Sequence, residues 1–166
     1  VGVAAVVALG AMADGIVKNY GNALGLSNDL LVTQANSYDV VFSNLDETLG
    51  ERIESIPDVT NVDPGVFGWI AVGDVPYFLV YGYEPGSVAM SHDKVVEGKP
   101  ITGPKQIIIG RRAAEALKQT VDDTLRLYGV PYRIVGIYET GEGMEESGGV
   151  VTLADSQSIA QKQRQV

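Results

Sequence analysis

The sequence predicts an α+β fold, and three observations support this. Apolar residues alternate in hairpin-like segments, helical patterns lie between some of these segments, and strands and helices do not alternate strictly as in a doubly wound sheet. The chain has 166 residues, about the size of one domain. We therefore expect mixed hairpins and short helices forming a compact domain, preceded by the end of a transmembrane helix.

Two segments have the pattern of β-hairpins. In residues 66–83, aromatic and β-branched residues alternate on both sides of the turn dipeptide Gly73-Asp74. Residues 124–137 repeat this pattern, with the turn expected at Gly129-Val130. Shorter extended pieces are predicted at residues 29–34, 38–42, 105–109 and 150–153.

Helical spacing is clearest after a predicted cap at residues 44–47, where Asn and Glu have the spacing of a capping box. Leu49, Ile53 and Ile56 then share one helical face, and Pro57 ends the segment. Further helices are predicted at residues 111–119 and 154–163, and a loop or short helix at residues 86–93.

Residues 1–13 are uncharged and rich in Val and Ala. A membrane-spanning helix needs about 20 apolar residues, and a signal peptide would carry a basic segment before its apolar core. We interpret residues 1–15 as the C-terminal part of a first transmembrane helix in contact with lipid at residues 1–13, and residues 16–166 as the domain. The alternatives are a buried helix of a globular core and the remainder of a signal peptide.

Composition excludes several kinds of protein. Twelve basic and 21 acidic residues give a formal charge of −9, which argues against nucleic-acid binding because phosphate contacts need clustered Lys and Arg. The absence of cysteine excludes disulfides, cysteine nucleophiles and thiolate zinc sites, and a single histidine, His92, cannot build a histidine-rich metal site.

We predict no catalytic, cofactor-binding or metal-binding residues. Ser91 and His92 are adjacent in a predicted loop, and no nucleophile elbow surrounds any serine, so a surface role is favoured over catalysis. Asp122 and Asp123 precede a hairpin, where Asp commonly fixes a turn. A carboxylate-based hydrolase stays an alternative that requires two acids in one cleft with separated pKa values.

Three features leave a binding role open. Glu142, Glu145 and Glu146 lie in a glycine-rich loop that would suit calcium, although their spacing is not that of an EF-hand. Residues 29–64 carry eight acids against Arg52 alone, which indicates either a solvated face or a docking surface for a basic partner. The aromatic residues of the first hairpin are expected in the core, with an exposed rim for a partner or lipid headgroups as the alternative; they are Phe67, Trp69, Tyr77, Phe78, Tyr81 and Tyr83.

From Glu97 onward, several short motifs follow one another in a specific order. EGKPI precedes QIIIGRRAAEAL, then VDDTLRLYGVPYRIVGIYETG, an acidic glycine loop and GGVVTLADSQSIA. This order resembles the MacB-like periplasmic core domain of ABC transporter permeases of the MacB, FtsX and LolC class. Asp122 replaces a glycine that is usual in that family. Upstream, the segment at residues 24–32, IPDV and WIAV also match, so the resemblance covers nearly the whole chain.

The resemblance implies an extracytoplasmic domain inserted between the first two transmembrane helices of a permease in the cell membrane. It implies no catalysis in this domain, with ATP hydrolysed by a cognate ATPase subunit or domain reached through the membrane part. It also implies a second permease copy, since such permeases work as dimers, and motion that drives export or the release of a substrate or lipoprotein. In that family the domain continues further, so we expect truncation at the C-terminus, with an abbreviated family member as the alternative. The alternative is a secreted or membrane-tethered binding domain without a transport role.

Overall fold

The computed structural model describes residues 30–91, 93–141, 143–162 and 164–166. The chain divides into two compact units, Val1–Val32 and Thr33–Val166, and the second contains every element described below. The transmembrane helix predicted at residues 1–15 lies outside the described residues. Within the described ranges, none of the helices combines the length and hydropathy that crossing a bilayer requires.

Seven strands of the second unit form one mixed sheet. The strands are β1 Val66–Val72, β2 Val75–Tyr83, β3 Lys94–Gly98, β4 Gln106–Gly110, β5 Thr124–Leu127, β6 Val130–Glu139 and β7 Gly149–Thr152. The helices are α1 Leu49–Glu54, α2 Val88–Ser91, α3 Arg111–Leu117 and α4 Leu153–Ala160, with 3₁₀ turns at Val40–Phe42 and Glu145–Ser147. This arrangement confirms the predicted α+β class.

The strand order is β1-β2-β7-β4-β6-β3, and β5 also pairs with β6. β2 with β7 and β4 with β6 are parallel pairs, whereas the other pairs are antiparallel. β6 is the longest strand, so its first part pairs with β5 and its last part with β3. β3 is missing from our sequence prediction because its five residues, KVVEG, are exposed or only partly buried and show no clear alternation.

Alternating residues of the central strands are buried on opposite faces of the sheet. One face carries the main apolar cluster, to which α3 contributes Ala113 and Ala114 and against which Ile159 of α4 packs. The strand members of the cluster are Ile70, Val72, Phe78, Val80, Ile107, Ile109, Leu125, Leu127, Tyr132, Ile134, Ile137 and Val151. Residues between these, such as Ile108 and Val150, are also buried, so neither face of the central strands is solvated.

Three predictions for the first part of the domain are wrong. The extended piece predicted at residues 29–34 belongs to no strand over its described residues, 30–34. The piece predicted at residues 38–42 contains a 3₁₀ turn at Val40–Phe42 rather than a strand, because the Asp39 carboxylate accepts a hydrogen bond from Val41 N–H at 3.1 Å and caps the turn. The predicted capping box at residues 44–47 does not start a helix, since Asp46 Oδ1 instead accepts from Thr48 N–H at 2.9 Å and α1 begins at Leu49. Local side-chain bonds of this kind compete with regular structure.

Both predicted hairpins are present. The first turns at Gly73-Asp74 as expected, and Gly73 has a φ of +54°, which glycine adopts without strain. The second turns one residue earlier than predicted, at Tyr128-Gly129, where both residues have positive φ as a type I′ turn requires.

Candidate functional site

The first and last segments of the Thr33–Val166 unit are hydrogen-bonded to each other. Leu45 N–H donates to the carbonyl of Val166 at 2.7 Å, and Val166 N–H donates back at 2.9 Å. Glu47 N–H donates to the carbonyl of Arg164 at 3.3 Å, which continues the antiparallel pairing. We name this region the clasp, and it comprises residues 41–47, 162 and 164–166.

Lys162 connects the two halves of the clasp through its side chain. Its ammonium donates to the carbonyl of Val41 at 2.9 Å and to that of Ser43 at 2.7 Å. Burial lowers the pKa of Lys162 from its ordinary value. The side-chain amide of Gln157, on α4, donates to the Glu47 carboxylate. These bonds connect the two segments of the clasp to each other and to α4, the helix that packs on the sheet.

An acidic cleft lies beside the clasp. Its volume is about 310 Å³, and four glutamates line it, two of them on α1. The lining residues are Glu47, Gly50, Glu51, Glu54, Val62, Pro64, Glu84 and Leu153. This cleft contains part of the acidic segment noted in the sequence, and its charge favours cationic groups over anions.

Asp155 lies at the centre of a buried hydrogen-bond network. Its carboxylate accepts from Lys105 Nζ at 2.6 Å, Lys105 N–H at 2.8 Å and the Thr152 hydroxyl at 3.0 Å. The Tyr132 hydroxyl is 3.4 Å away. Burial alone would raise the pKa of Asp155, but the bonds from Lys105 and Thr152 outweigh it and hold the pKa below 3.8. The network joins α4 to the start of β4 and to β6.

A second group of buried and half-buried side chains combines two carboxylates with tyrosines. Burial and the nearby charge of Glu145 raise the pKa of Asp93 from 3.8 to about 7. Burial likewise raises the pKa of Tyr83 and Tyr138, and the nearby charge of Asp93 is the next-largest cause of the rise. The Tyr138 hydroxyl donates to the backbone carbonyl of Glu145 at 2.7 Å. Neither Asp93 nor Glu145 is among the residues that line the acidic cleft.

The sequence candidates for catalysis have ordinary structural roles where the structure describes them. Ser91 is exposed and its hydroxyl donates to the carbonyl of Val88, while His92 lies outside the described residues. Asp122 forms an ion pair with Arg133 at 2.7 Å on the surface. Asp123 accepts hydrogen bonds from Thr120, which stabilises the turn before β5.

The two described glutamates of the glycine-rich loop, Glu145 and Glu146, have different surroundings. Glu146 Oε1 accepts from the amides of Thr140 and Gly141 at 3.0 and 2.9 Å, whereas Glu145 is buried beneath Tyr138. Glu142 lies outside the described residues. Across the described ranges, no three His, Asp or Glu side chains are close enough together to hold a metal ion.

The aromatic residues of the first hairpin divide between core and surface. Phe67, Phe78 and Tyr81 are buried, and the Phe67 and Tyr81 rings meet edge to face at 5.6 Å. Trp69 and Tyr77, in contrast, are 41% and 74% exposed. The core interpretation therefore holds for Phe67, Phe78 and Tyr81, and Trp69 and Tyr77 are exposed on the surface.

Sequence reasoning did not identify Lys162 or Asp93 as important. The Thr and Asp spacing of residues 152–155 is a cap signal, and Thr152 indeed caps α4 by accepting from the Asp155 amide. No local pattern identifies Lys162, because its acceptors lie about 120 residues away in the sequence.

Two solved structures resemble this fold. The extracellular domain of the noncanonic ABC-type transporter YknZ from Gram-positive bacteria matches with a TM-score of 0.57 and 16% identity, covering 69% of this chain and 66% of that one. The periplasmic region of MacB from Actinobacillus actinomycetemcomitans matches with a TM-score of 0.54 and 12% identity, covering 76% of this chain and 65% of that one. This chain thus spans somewhat less than two thirds of either structure.

The sequence itself matches a family model over almost its entire length. No curated protein shows significant similarity to it. The model of the MacB-like periplasmic core domain, in contrast, matches residues 1–165. Together with the shared fold, this match shows that the chain belongs to the family of MacB-like periplasmic core domains, the extracytoplasmic domains of ABC transporter permeases.

Proposed function

We propose that this domain relays ATP-driven motion across the membrane for a permease, driving export or the release of a substrate or lipoprotein on the far side. The observation that carries the proposal is the match to the MacB-like family over residues 1–165. The domain itself performs no catalysis, and ATP is hydrolysed by a separate nucleotide-binding subunit or domain.

The clasp supports a relay role. Residues 45–47 are hydrogen-bonded to residues 164–166, so the two segments move together while these bonds hold. In the arrangement we propose, residues 1–15 are the end of the first transmembrane helix, with lipid around residues 1–13, and residues 16–166 form the extracytoplasmic domain. A helix that continues from the bilayer into such a domain transmits displacement as a stiff rod.

The proposed partners follow from the same arrangement. A cognate ABC ATPase binds the membrane part of the permease on the cytoplasmic side, and a second permease copy completes a dimer. We expect the natural gene to encode three further apolar stretches of about 20 residues after residue 166, with an ATPase encoded nearby or in the same chain. A reading frame that ends shortly after residue 166 would contradict this expectation.

Cysteine labelling in intact cells tests the proposed location. The chain contains no cysteine, so Glu115→Cys on the exposed side of α3 introduces a single thiol into it. In the natural full-length permease, a membrane-impermeant maleimide should label this thiol before lysis, and the label should stay in the membrane fraction. The parent protein with any other cysteines removed is the matched control.

Nucleotide-dependent movement tests the relay itself. A fluorophore on the same thiol should change its emission when ATP is hydrolysed by the reconstituted permease and its ATPase, and should not respond to a non-hydrolysable analogue.

In the labelling experiment, a thiol that reacts only after lysis would exclude the extracytoplasmic location. Label recovered in the culture medium would instead support a secreted binding domain.

A further inference from the structure

The clasp differs from the rest of the domain in how little of it is buried. Within residues 33–48, Ser43 is the single buried residue, and none of the described residues in 161–166 is buried. The main apolar cluster contains no residue from either segment. Strand residues such as Ile107, Ile134 and Val151 are, in contrast, fully buried.

Hydrogen bonds therefore hold the clasp, with little apolar burial to support them. Bonds near the surface open through local fluctuations far more often than bonds inside a packed core. The backbone bonds of Leu45 and Glu47 reach residues about 120 positions away, so opening them separates the two segments of the clasp without breaking a strand of the sheet.

Lys162 lies where the clasp meets the rigid part of the domain. Gln161 ends α4 with a φ of +56°, and Lys162 follows directly, its amide donating to the carbonyl of Gln157 at 2.9 Å. α4 packs closely on β2, since a Cβ at Gly82 would overlap the Ser156 side chain. The Lys162 ammonium thus ties the carbonyls of Val41 and Ser43 to a helix fixed on the sheet.

We propose that the clasp is a latch that opens and closes as one unit over a sheet that stays folded, and that the Lys162 ammonium holds it closed. This inference rests on the proposed function, because a relay needs a joint that yields while the domain keeps its shape. Its first test is independent of transport and uses the 166-residue chain in detergent micelles.

Amide hydrogen exchange measured by NMR on Lys162→Met tests the latch. The amides of Leu45 and Glu47 should exchange about tenfold faster or more, because a hydrogen-bonded ammonium is lost, while amides of β4 and β7 keep the parent rates. Lys99→Met removes an exposed ammonium for which the structure shows no side-chain bond, and it should leave all these rates unchanged.

Two outcomes would overturn the latch. Unchanged exchange at Leu45 and Glu47 in Lys162→Met would show that the ammonium does not hold the clasp. Equal acceleration in β4 and β7 would show that the clasp opens only with the whole domain.

A crosslink connects the latch to the relay. Leu45 and Val166 exchange both backbone bonds, and residues paired in this way have Cα atoms about 5.5 Å apart, within disulfide range. In the reconstituted permease carrying Leu45→Cys and Val166→Cys, oxidation should abolish the ATP-dependent fluorescence change and reduction should restore it. If the fluorescence change is undiminished when the disulfide has formed, the latch does not take part in the relay. If the uncrosslinked parent shows no ATP-dependent fluorescence change, the result counts against the proposed function instead.

Discussion

Asp155 shows how a buried carboxylate stays ionised when donors surround it. Its side chain is 5% exposed, and it accepts hydrogen bonds from the Lys105 ammonium, the Lys105 amide and the Thr152 hydroxyl. Asp93 illustrates the opposite case, because burial beside Glu145 raises its pKa to about 7. Side chains of one chemical type thus have opposite titration behaviour, and the surrounding donors and charges decide which.

We predict that Asp155→Asn lowers the free energy of unfolding by about 2–3 kcal/mol at neutral pH, because charge-assisted bonds are lost. The pKa of Asp155 is held below 3.8, so its contribution is fully present above that pH and is lost as the pH falls through the lower folded-state pKa. Urea unfolding at about pH 7 and at successively lower pH measures this. Glu115→Gln is the control, and a difference that does not shrink on acidification would contradict the prediction.

We predict the reverse pH dependence for Asp93→Asn. With a folded pKa of about 7 and an ordinary value of 3.8, the folded state binds more protons between these values, so stability falls as the pH rises. Above pH 7 the variant should be more stable than the parent by roughly 2–4 kcal/mol, and below pH 4 the two should be equal. Urea unfolding across this range checks the stability, and carboxyl NMR of the parent checks the pKa. A titration midpoint for Asp93 near 4 would contradict it.

At the scale of elements, α4 and β2 lie unusually close together. Gly82 makes this possible, because any side chain at that position would overlap Ser156. Gly68, on the neighbouring strand β1, has no atom within 4 Å of the place its Cβ would occupy. Two glycines of the same hairpin thus have different reasons to be there, and only one is required by packing.

We predict that Gly82→Ala lowers the free energy of unfolding by about 1–3 kcal/mol, since overpacking forces α4 away from the sheet. Gly68→Ala is the matched control and should change stability by much less. Ser156→Gly should partly rescue Gly82→Ala, because it removes the overlapping side chain. Chemical denaturation of the four proteins measures these effects, and equal losses in the two alanine variants would contradict the packing argument.

At the scale of the whole molecule, the charge is strongly unbalanced. The chain carries 21 acidic and 12 basic residues, and four glutamates converge on the cleft beside α1. Self-repulsion of this kind destabilises a compact state and is screened by salt. The cleft therefore gathers several of the negative charges whose repulsion salt would screen.

We predict that the melting temperature rises by roughly 2–4 °C between about 0.02 and 0.5 M NaCl, a gain of about 1 kcal/mol. Glu51→Gln combined with Glu54→Gln should be more stable than the parent at low salt and should respond less to salt. Thermal unfolding followed by circular dichroism measures both. A melting temperature that falls with added salt would show that attractive ion pairs outweigh the repulsion.

The sequence by itself determined the local structure and the family. Alternating residues over 66–83 and 124–137 predicted both hairpins, and the helices at α3 and α4 followed from composition and spacing, because these signals lie within a short window of chain. The order of motifs from Glu97 onward indicated the family that the comparison then showed.

Only the tertiary structure decided which distant residues meet. It placed β3 beside β6, brought the half-buried Asp93 near Glu145, and brought Lys162 to carbonyls about 120 residues earlier. No local pattern encodes these contacts, since they depend on how the strands are ordered in the sheet and on which chain segments that order brings together. Local periodicity predicts the hairpins and the longer helices, whereas burial and charge pairing across the fold determine the pKa values and the clasp.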